Sequence, residues 1–231
     1  MAEKKEDPNG NTEAAEFFLA KLRTHMSTSR GVIHVGAHQG EEVEAYLSYG
    51  FKKIILIEAN PKWCEFLSEK YKNENILIFN YAVTDLTGSV TLQIHESRLG
   101  STEPASILDL KKFKEYYKYI KTPASVEVPA IRLDDLFEKH QLNPMDYDFL
   151  NMDIQGAELK ALKGAPKLLG HLKAVLSEVH LEELYEGCAS EKDIVDFLEG
   201  AGFRKVESQY RELYNEKGSF PVWGDVLFIK K

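Results

Sequence analysis

The chain has 231 residues, 43% of them hydrophobic and 29% charged, with a formal net charge of −8 at pH 7. That is enough apolar material for one well-cored α/β domain, and the acidic balance excludes a broad basic footprint for nucleic acid. No run approaches the ~18 apolar residues of a membrane span. Cys64 and Cys188 stand alone, without metal or redox spacing, so a reducing, cytoplasmic setting is expected. Residues 1–12 are polar and acidic with no apolar h-region, and are expected as a disordered tail, not a signal peptide. Residues 13–231 are expected to form a single domain.

Glu13–Met26 carries Ala14, Phe17, Phe18, Ala20 and Leu22, an amphipathic helix for the sheet edge. Gly31-Val-Ile-His-Val-Gly-Ala-His-Gln-Gly40 then opens as a buried strand and breaks into a loop punctuated by Gly36 and Gly40. A helix is predicted from Glu41 to Leu47, with acids in its first turn. Lys53–Glu58 reads as a second strand, covered on both faces and ending in an acid. Asn60-Pro61 starts a helix through Lys72, and Asn75–Tyr81 supplies a third strand. The order β-α-β-α-β is the first half of a doubly wound sheet.

Alternation then pauses. Tyr81-Ala82-Val83, the turn Thr84–Ser89 and the alternating run Val90–His95 predict a hairpin. Glu96–Ser106 reads as a polar loop and Ile107–Ile120 as a helix, with a tyrosine cluster at Tyr116–Tyr119 expected in core or lid packing. The basic patch Lys111-Lys112-Phe113-Lys114 lies in the same stretch. Ser125–Leu133 alternates again before a short helix at Asp134–Lys139. Residues 84–142 are thus expected as an inserted hairpin and helix cap that selects substrate. The sheet resumes at Tyr147–Asp153, followed by helix Ala157–Lys163, strand Ala174–Val179, helix Glu191–Glu199, a strand from Phe203 and a last strand Val222–Lys230. A direct loop joins the final pair, which makes them antiparallel. The predicted fold is therefore a seven-stranded, doubly wound Rossmann-like sheet with one antiparallel last strand.

The glycine loop points to a nucleotide-type cofactor, because a side chain there would hold a ligand off the backbone N–H groups. Glu58 lies 22 positions after Gly36, close to the ~20 at which a second-strand acid reaches a ribose hydroxyl pair. The dinucleotide fingerprint G-x-G-x-x-G fails at His38 and Glu41, since the spacing is Gly36-x-x-x-Gly40. Together with the terminal hairpin, this favours an adenosine cofactor without a pyrophosphate, such as S-adenosylmethionine, over NAD. At the carboxyl ends of the later strands stand Asp153, Glu158, Glu178 and His180, which could supply acid, base and orienting groups around one hydroxyl. Asp153 also suits a helix N-cap and Glu158 a helix-dipole role. Asp153, Glu178 and His180 could further ligate a divalent cation.

These stretches resemble the FkbM-type S-adenosylmethionine-dependent methyltransferases from about Gly31 to Val179. The family pattern D-V-G-A-N-x-G appears as His34-Val35-Gly36-Ala37-His38-Gln39-Gly40, and F-E-P-x-P as Ile57-Glu58-Ala59-Asn60-Pro61. N-x-A-V-x-D-x-x-G appears as Asn80–Gly88, L-D-D-L as Leu133–Leu136, and D-V-E-G-A-E as Asp153–Glu158. His34 stands where the pattern has an acid, His38 where it has Asn, and Gln155 where it has Glu. The resemblance implies O-methylation of a hydroxyl on a sugar, glycan or natural-product acceptor, with no metal required. It places the cofactor on His34, Gly36, Ala37, His38, Gly40, Glu58, Ala59, Tyr81, Ala82 and Asp153; the strand-end positions put catalysis on Asp153, His180, Glu158 and Glu178, with Asp153 or His180 expected to accept the hydroxyl proton. A methyltransferase fold retained for binding or scaffolding is the alternative, motivated by His34 and His38. Neither nucleic acid nor a membrane is expected as a partner, and oligomerisation stays open.

Overall fold

The computed structural model describes residues 10–26, 29–72, 74–95, 105–116, 124–215 and 218–231. Helix α1 (Gly10–Arg23) starts inside the stretch expected as tail; residues 1–9 lie outside the described residues. The chain continues through β1 (Gly31–Val35), α2 (Val43–Tyr49), β2 (Lys53–Ile57), α3 (Pro61–Lys70) and β3 (Ile76–Phe79). The next stretch holds β4 (Ala82–Val83), β5 (Gly88–Ile94), β6 (Ala105–Ser106), α4 (Phe113–Tyr116), β7 (Ala124–Ile131) and α5 (Leu133–Lys139). A 3₁₀ turn at Pro144–Asp146 leads into β8 (Phe149–Met152), α6 (Glu158–Lys163), α7 (Pro166–Leu169), β9 (Ala174–His180), α8 (Glu191–Gly200), β10 (Phe203–Asn215) and β11 (Gly218–Lys230).

Seven strands form one sheet in the order β10-β11-β9-β8-β1-β2-β3. β3, β2, β1, β8 and β9 run parallel, while β11 pairs antiparallel with both β9 and β10. All five residues of β1 and all seven of β9 are buried, so that β1 and the first half of β9 read as apolar runs while Ser177, Glu178 and His180 are buried polar residues toward the carboxyl end of β9. Alternate residues divide between two cores. Ile33, Val35, Ile55, Ile57, Leu150 and Val175 pack under α5, α6, α7 and α8. Val32, Ile54, Leu56, Phe149 and Leu176 pack under α1, α2 and α3. The crossing from β1 to β8 reverses the winding, so the carboxyl ends of β1, β2, β8 and β9 open onto one crevice.

The segment between β3 and α5 departs from the expected hairpin. β4 pairs parallel with β7, and β5 pairs antiparallel with β7, so β7 lies between them in a second sheet of order β4-β7-β5-β6. Alternating apolar residues announce a strand but not its partner, and the partner here comes from beyond the polar loop. The expected helix over 107–120 is also corrected. Leu110 bridges to Tyr185, and only Phe113–Tyr116 is helical among the described residues. Leu110, Phe113 and Tyr116 pack on Leu184, Tyr185 and Val222, a small separate core that accounts for their spacing without a long helix. Residues 117–119 of the tyrosine cluster, and 96–104 of the polar loop, lie outside the described residues.

Candidate active site

β1 ends at Val35 and the chain turns at Gly36 with φ +86°. A Cβ there would lie 1.9 Å from the carbonyl oxygen of Asp153, so glycine is required by the protein's own backbone and not, as the spacing suggested, by the approach of a ligand. Every N–H of the turn is committed internally. Gly36 and Ala37 donate to Ile57 O, His38 to Glu58 Oε2, Gln39 to Glu41 Oε2 and Gly40 to Ala37 O. A pyrophosphate would find no spare donor in this turn, which removes the main attraction for a dinucleotide.

Glu58, buried at the end of β2, clasps the turn. Its two oxygens accept from His38 N at 2.8 Å and Asn60 N at 2.7 Å, leaving further lone pairs for a hydroxyl donor. Burial pushes its carboxyl up, against the pull of those two N–H groups. Asn80 fixes the next stretch by donating to the carbonyls of Glu58 and Ala59 at 2.8 and 3.1 Å. Glu41 meets His38 Nδ1 at 2.9 Å. Burial pushes Glu41 up, but its bonds to His38 and to backbone N–H groups outweigh that and hold it below the usual carboxylate range. The His38 ring lies 4.7 Å from that of Trp63, and His38 Nε2, Trp63 Nε1 and Asn60 Nδ2 are buried without hydrogen-bond partners. An acid-lined turn with orphaned side-chain polar atoms and no free backbone donors suits a cationic sulfonium bearing a ribose, and S-adenosylmethionine fits that donor set.

Three further expected cofactor residues, Tyr81, Ala82 and His34, make contacts of their own within the protein. Ala82 packs in the second-sheet core with Leu92 and Val128, and the Tyr81 hydroxyl contacts Lys139 Nζ at 2.9 Å beside the His140 ring. His34 lies beneath α2, edge-on to Tyr46 at 5.7 Å, with Nδ1 3.8 Å from Glu42 Oε2. Burial drives the pair apart, lowering His34 to about 4 and raising Glu42 to about 8. Asn151, its neighbour on β8, donates to the Tyr46 hydroxyl at 2.6 Å.

Asp153 follows β8, its N–H bonded to Val35 O at 3.0 Å. It caps no helix: α6 begins after Ala157 with no side-chain cap. Gln155, held at φ +55°, donates to Asp153 Oδ1 at 2.7 Å and lies 3.3 and 3.5 Å from the oxygens of Glu178. The Tyr185 hydroxyl donates to Gln155 Oε1. Glu158 Oε1 accepts from Ile154 N and Gly156 N, tying the turn before α6. Glu178 and His180 share one face of β9, and His180 Nε2 lies 3.4 Å from Glu178 Oε2. Burial raises Asp153, lifts Glu158 to about 7 and Glu178 well above the usual range, and lowers His180 to about 4. Asp225 on β11 pairs in register with Glu178, and burial raises it to about 7.

The structure therefore gathers Gly36, Ala37, His38, Gly40 and Glu58 at one turn, brings Asp153 against it, and joins Asp153 to Glu178 through Gln155, with His180 and Glu158 beside Glu178. Glu41, Gln155 as a bridge, Tyr185 and Asp225 escape the sequence reading. Only Asp225 carries a local signal, an acid inside the apolar run of a buried strand.

Residues 34–205 match the methyltransferase FkbM domain. The 2-O-methyltransferase NoeI of Sinorhizobium fredii is 23% identical over 172 residues, covering 72% of this chain and 70% of that protein. Among solved structures, a putative RNA methyltransferase from Pyrococcus horikoshii superposes with a TM-score of 0.53 at 13% identity, covering 99% of this chain and 85% of that one. Magnesium protoporphyrin IX methyltransferase from Synechocystis with bound SAH gives 0.53 at 10%, covering 100% of this chain and 90% of that one. Those two likenesses establish the fold, a Rossmann-like methyltransferase sheet with its antiparallel end. The family match spans most of the chain and includes both the clasped turn and the strand-end acids. The chain belongs to the FkbM methyltransferase family and is an S-adenosylmethionine-dependent methyltransferase.

Proposed function

We propose that the methyl acceptor is a hydroxyl oxygen, on a sugar, glycan or similar polyhydroxylated molecule, and that Asp153 receives its proton. The observation that carries this is the placement of Asp153. It lies against the glycine turn, partly open to the crevice, with Oδ1 held by Gln155 and no described partner on Oδ2. Burial raises its proton affinity above that of an ordinary aspartate, which suits a base working near neutral pH. His180 suits the role less well: its ring is buried beside Glu178 and holds a proton weakly. The name of NoeI, an O-methyltransferase, supports an oxygen acceptor.

S-adenosylmethionine supplies an electrophilic methyl group. Glu58 would hold its ribose hydroxyls, the Gly36–Gly40 turn and Ala59 would border it, and His38 with Trp63 would flank it. Gln155 fixes the Asp153 carboxylate, so that the base is oriented before the acceptor arrives. The inserted segment 84–142, which carries β5, β6 and β7 of the second sheet, would select the acceptor, because substrate selection is commonly built on loops and insertions around a rigid scaffold.

The test is transfer of labelled methyl to a panel of hydroxylated sugars, with the product located by mass spectrometry. Asp153→Asn keeps an acceptor for Gln155 but removes the base, and should lower kcat by about 10²–10⁴ while cofactor affinity changes little. Retention of kcat within tenfold, or methylation only of nitrogen or carbon acceptors, would overturn the proposal.

A further inference from the structure

We infer that Glu158, Glu178 and His180 form a binding site for one divalent first-row transition cation, in the Mn²⁺ to Zn²⁺ range. One ligand atom from each of the three lies within 4.8 Å of the others, and all three residues are buried. The His180 Nε2 to Glu178 Oε2 separation of 3.4 Å is what two ligands at about 2.1 Å from a shared tetrahedral ion would show.

A second observation is independent of the clustering. His180 is 2% exposed, and neither of its ring nitrogens has a hydrogen-bond partner. A buried imidazole without partners forfeits the hydrogen bonds it had in water, and its Nε2 is aimed at the two carboxylates. A metal ion supplies the missing partner.

The surroundings also match what supports a metal. Glu158 commits Oε1 to Ile154 N and Gly156 N at 2.9 and 3.3 Å, so its carboxylate is oriented by backbone while the other oxygen remains. Gln155 steadies Glu178 and is in turn held by Tyr185. Ligands fixed by an outer layer of hydrogen bonds are the usual construction of such sites. A neutral imidazole with two carboxylates balances a +2 ion, and the nitrogen donor favours Mn²⁺, Fe²⁺, Co²⁺ or Zn²⁺ over Mg²⁺ or Ca²⁺. The set differs from the Asp153, Glu178 and His180 combination open from the sequence. Glu158 takes the place of Asp153, which stays outside the triad and free to face the acceptor. Neither the site nor its test depends on the acceptor or on Asp153 as base.

The experiment titrates the EDTA-treated full chain with MnCl₂, follows free Mn²⁺ by electron paramagnetic resonance, and competes with ZnCl₂. Expected are one ion per chain with micromolar affinity, and pulsed-resonance modulation from a directly bound ¹⁴N. His180→Gln should abolish the nitrogen modulation and weaken binding about tenfold or more, and Glu178→Gln should weaken it comparably with the nitrogen signal kept. Absence of stoichiometric binding of either metal at millimolar concentration overturns the site. So does bound Mn²⁺ without nitrogen coupling in the unmodified chain, a reading that stands if either variant fails to fold. Persistence of the nitrogen signal in folded His180→Gln does the same.

Discussion

Gly36→Ala is the substitution that most directly probes how the cofactor turn is held. The new Cβ would meet Asp153 O at 1.9 Å, about 1.5 Å inside ordinary contact, and the obstacle is backbone, which no rotamer change can move. Relief requires the turn to part from the residue after β8. That strains the Asp153 N to Val35 O bond at 3.0 Å and the Gly36 N to Ile57 O bond at 2.9 Å. At about 1 kcal/mol net for each bond, and about 1 kcal/mol for an alanine at φ +86°, the loss comes to about 3 kcal/mol. Two companions calibrate it. Gly40→Ala, at φ +70°, meets Leu67 Cδ2 and Tyr71 side-chain atoms at 3.0 Å, which can give way, so about 1–2 kcal/mol is expected. Gly187→Ala has the same φ with nothing within 4 Å and isolates the backbone cost of about 1 kcal/mol. Urea unfolding of the cofactor-free protein measures all three. If Gly36→Ala costs no more than Gly187→Ala, the turn is not locked to β8 as described, and the placement of Asp153 beside it loses its support.

The buried His34–Glu42 pair makes stability depend on pH. Glu42 keeps its proton to about pH 8 folded against 4.5 unfolded, so the unfolded chain binds fewer protons across that window and stability falls as pH rises through it. His34, at about 4 folded against 6.5 unfolded, opposes this up to pH 6.5; the pair's own contribution to the loss therefore shows between 6.5 and 8, at up to about 1.4 kcal/mol per pH unit, on top of that from the raised Glu158, Glu178 and Asp225. Glu42→Gln should make that decline shallower by up to about 1.4 kcal/mol per pH unit in urea unfolding at about pH 6.5 and 8, and an unchanged slope would assign it wholly to the other groups. Asp134→Ala should cost about 1–2 kcal/mol, because the Asp134 oxygens accept from Lys167 N and Leu168 N at 2.9 Å and cap α7 from another helix. Hydrogen exchange should localise the loosening to α7, and unaltered protection of Leu168 and Leu169 would contradict the cap.

The parallel sheet was legible because its strands are buried on both faces and leave apolar runs such as Ile54–Ile57 and Leu150 with its neighbours. Pairing was less so. β5 alternates as a half-buried strand should, yet nothing local states that its partner is β7, more than thirty residues on, and not β4. Leu110, Phe113 and Tyr116 stand at helical spacing, but one bridge to Tyr185 and a single helical turn satisfy the same apolar contacts. The site divides in the same manner. Gly36, Glu58 and Asp153 sit in local motifs and were found from them. Asp225 reaches the crevice because β11 pairs with β9, and Tyr185 because the loop after β9 bridges to Leu110, which periodicity cannot express.

Motif membership and chemistry also separate once hydrogen bonds are followed atom by atom. Glu58 spends each of its oxygens on a backbone N–H, Asp134 does the same for α7, Asn80 secures two carbonyls, and Glu158 ties down the turn before α6. These residues make the motifs recognisable because they fix the backbone, a demand that admits few side chains. Reaction and ligation need something more, a polar atom or lone pair held in place but left without a partner, as the second oxygen of Glu158 is. Beyond the cofactor turn, where His38 Nε2, Trp63 Nε1 and Asn60 Nδ2 also stand without partners, Asp153 Oδ2 and the ring nitrogens of His180 meet that condition. Asp153 is the open one and His180 the buried one. Proton transfer from an arriving hydroxyl group to a carboxylate base requires the first environment, and capture of a cation among carboxylates suits the second. On this division, Asp153→Asn should silence turnover with the metal still bound, and His180→Gln should release the metal with the cofactor turn intact.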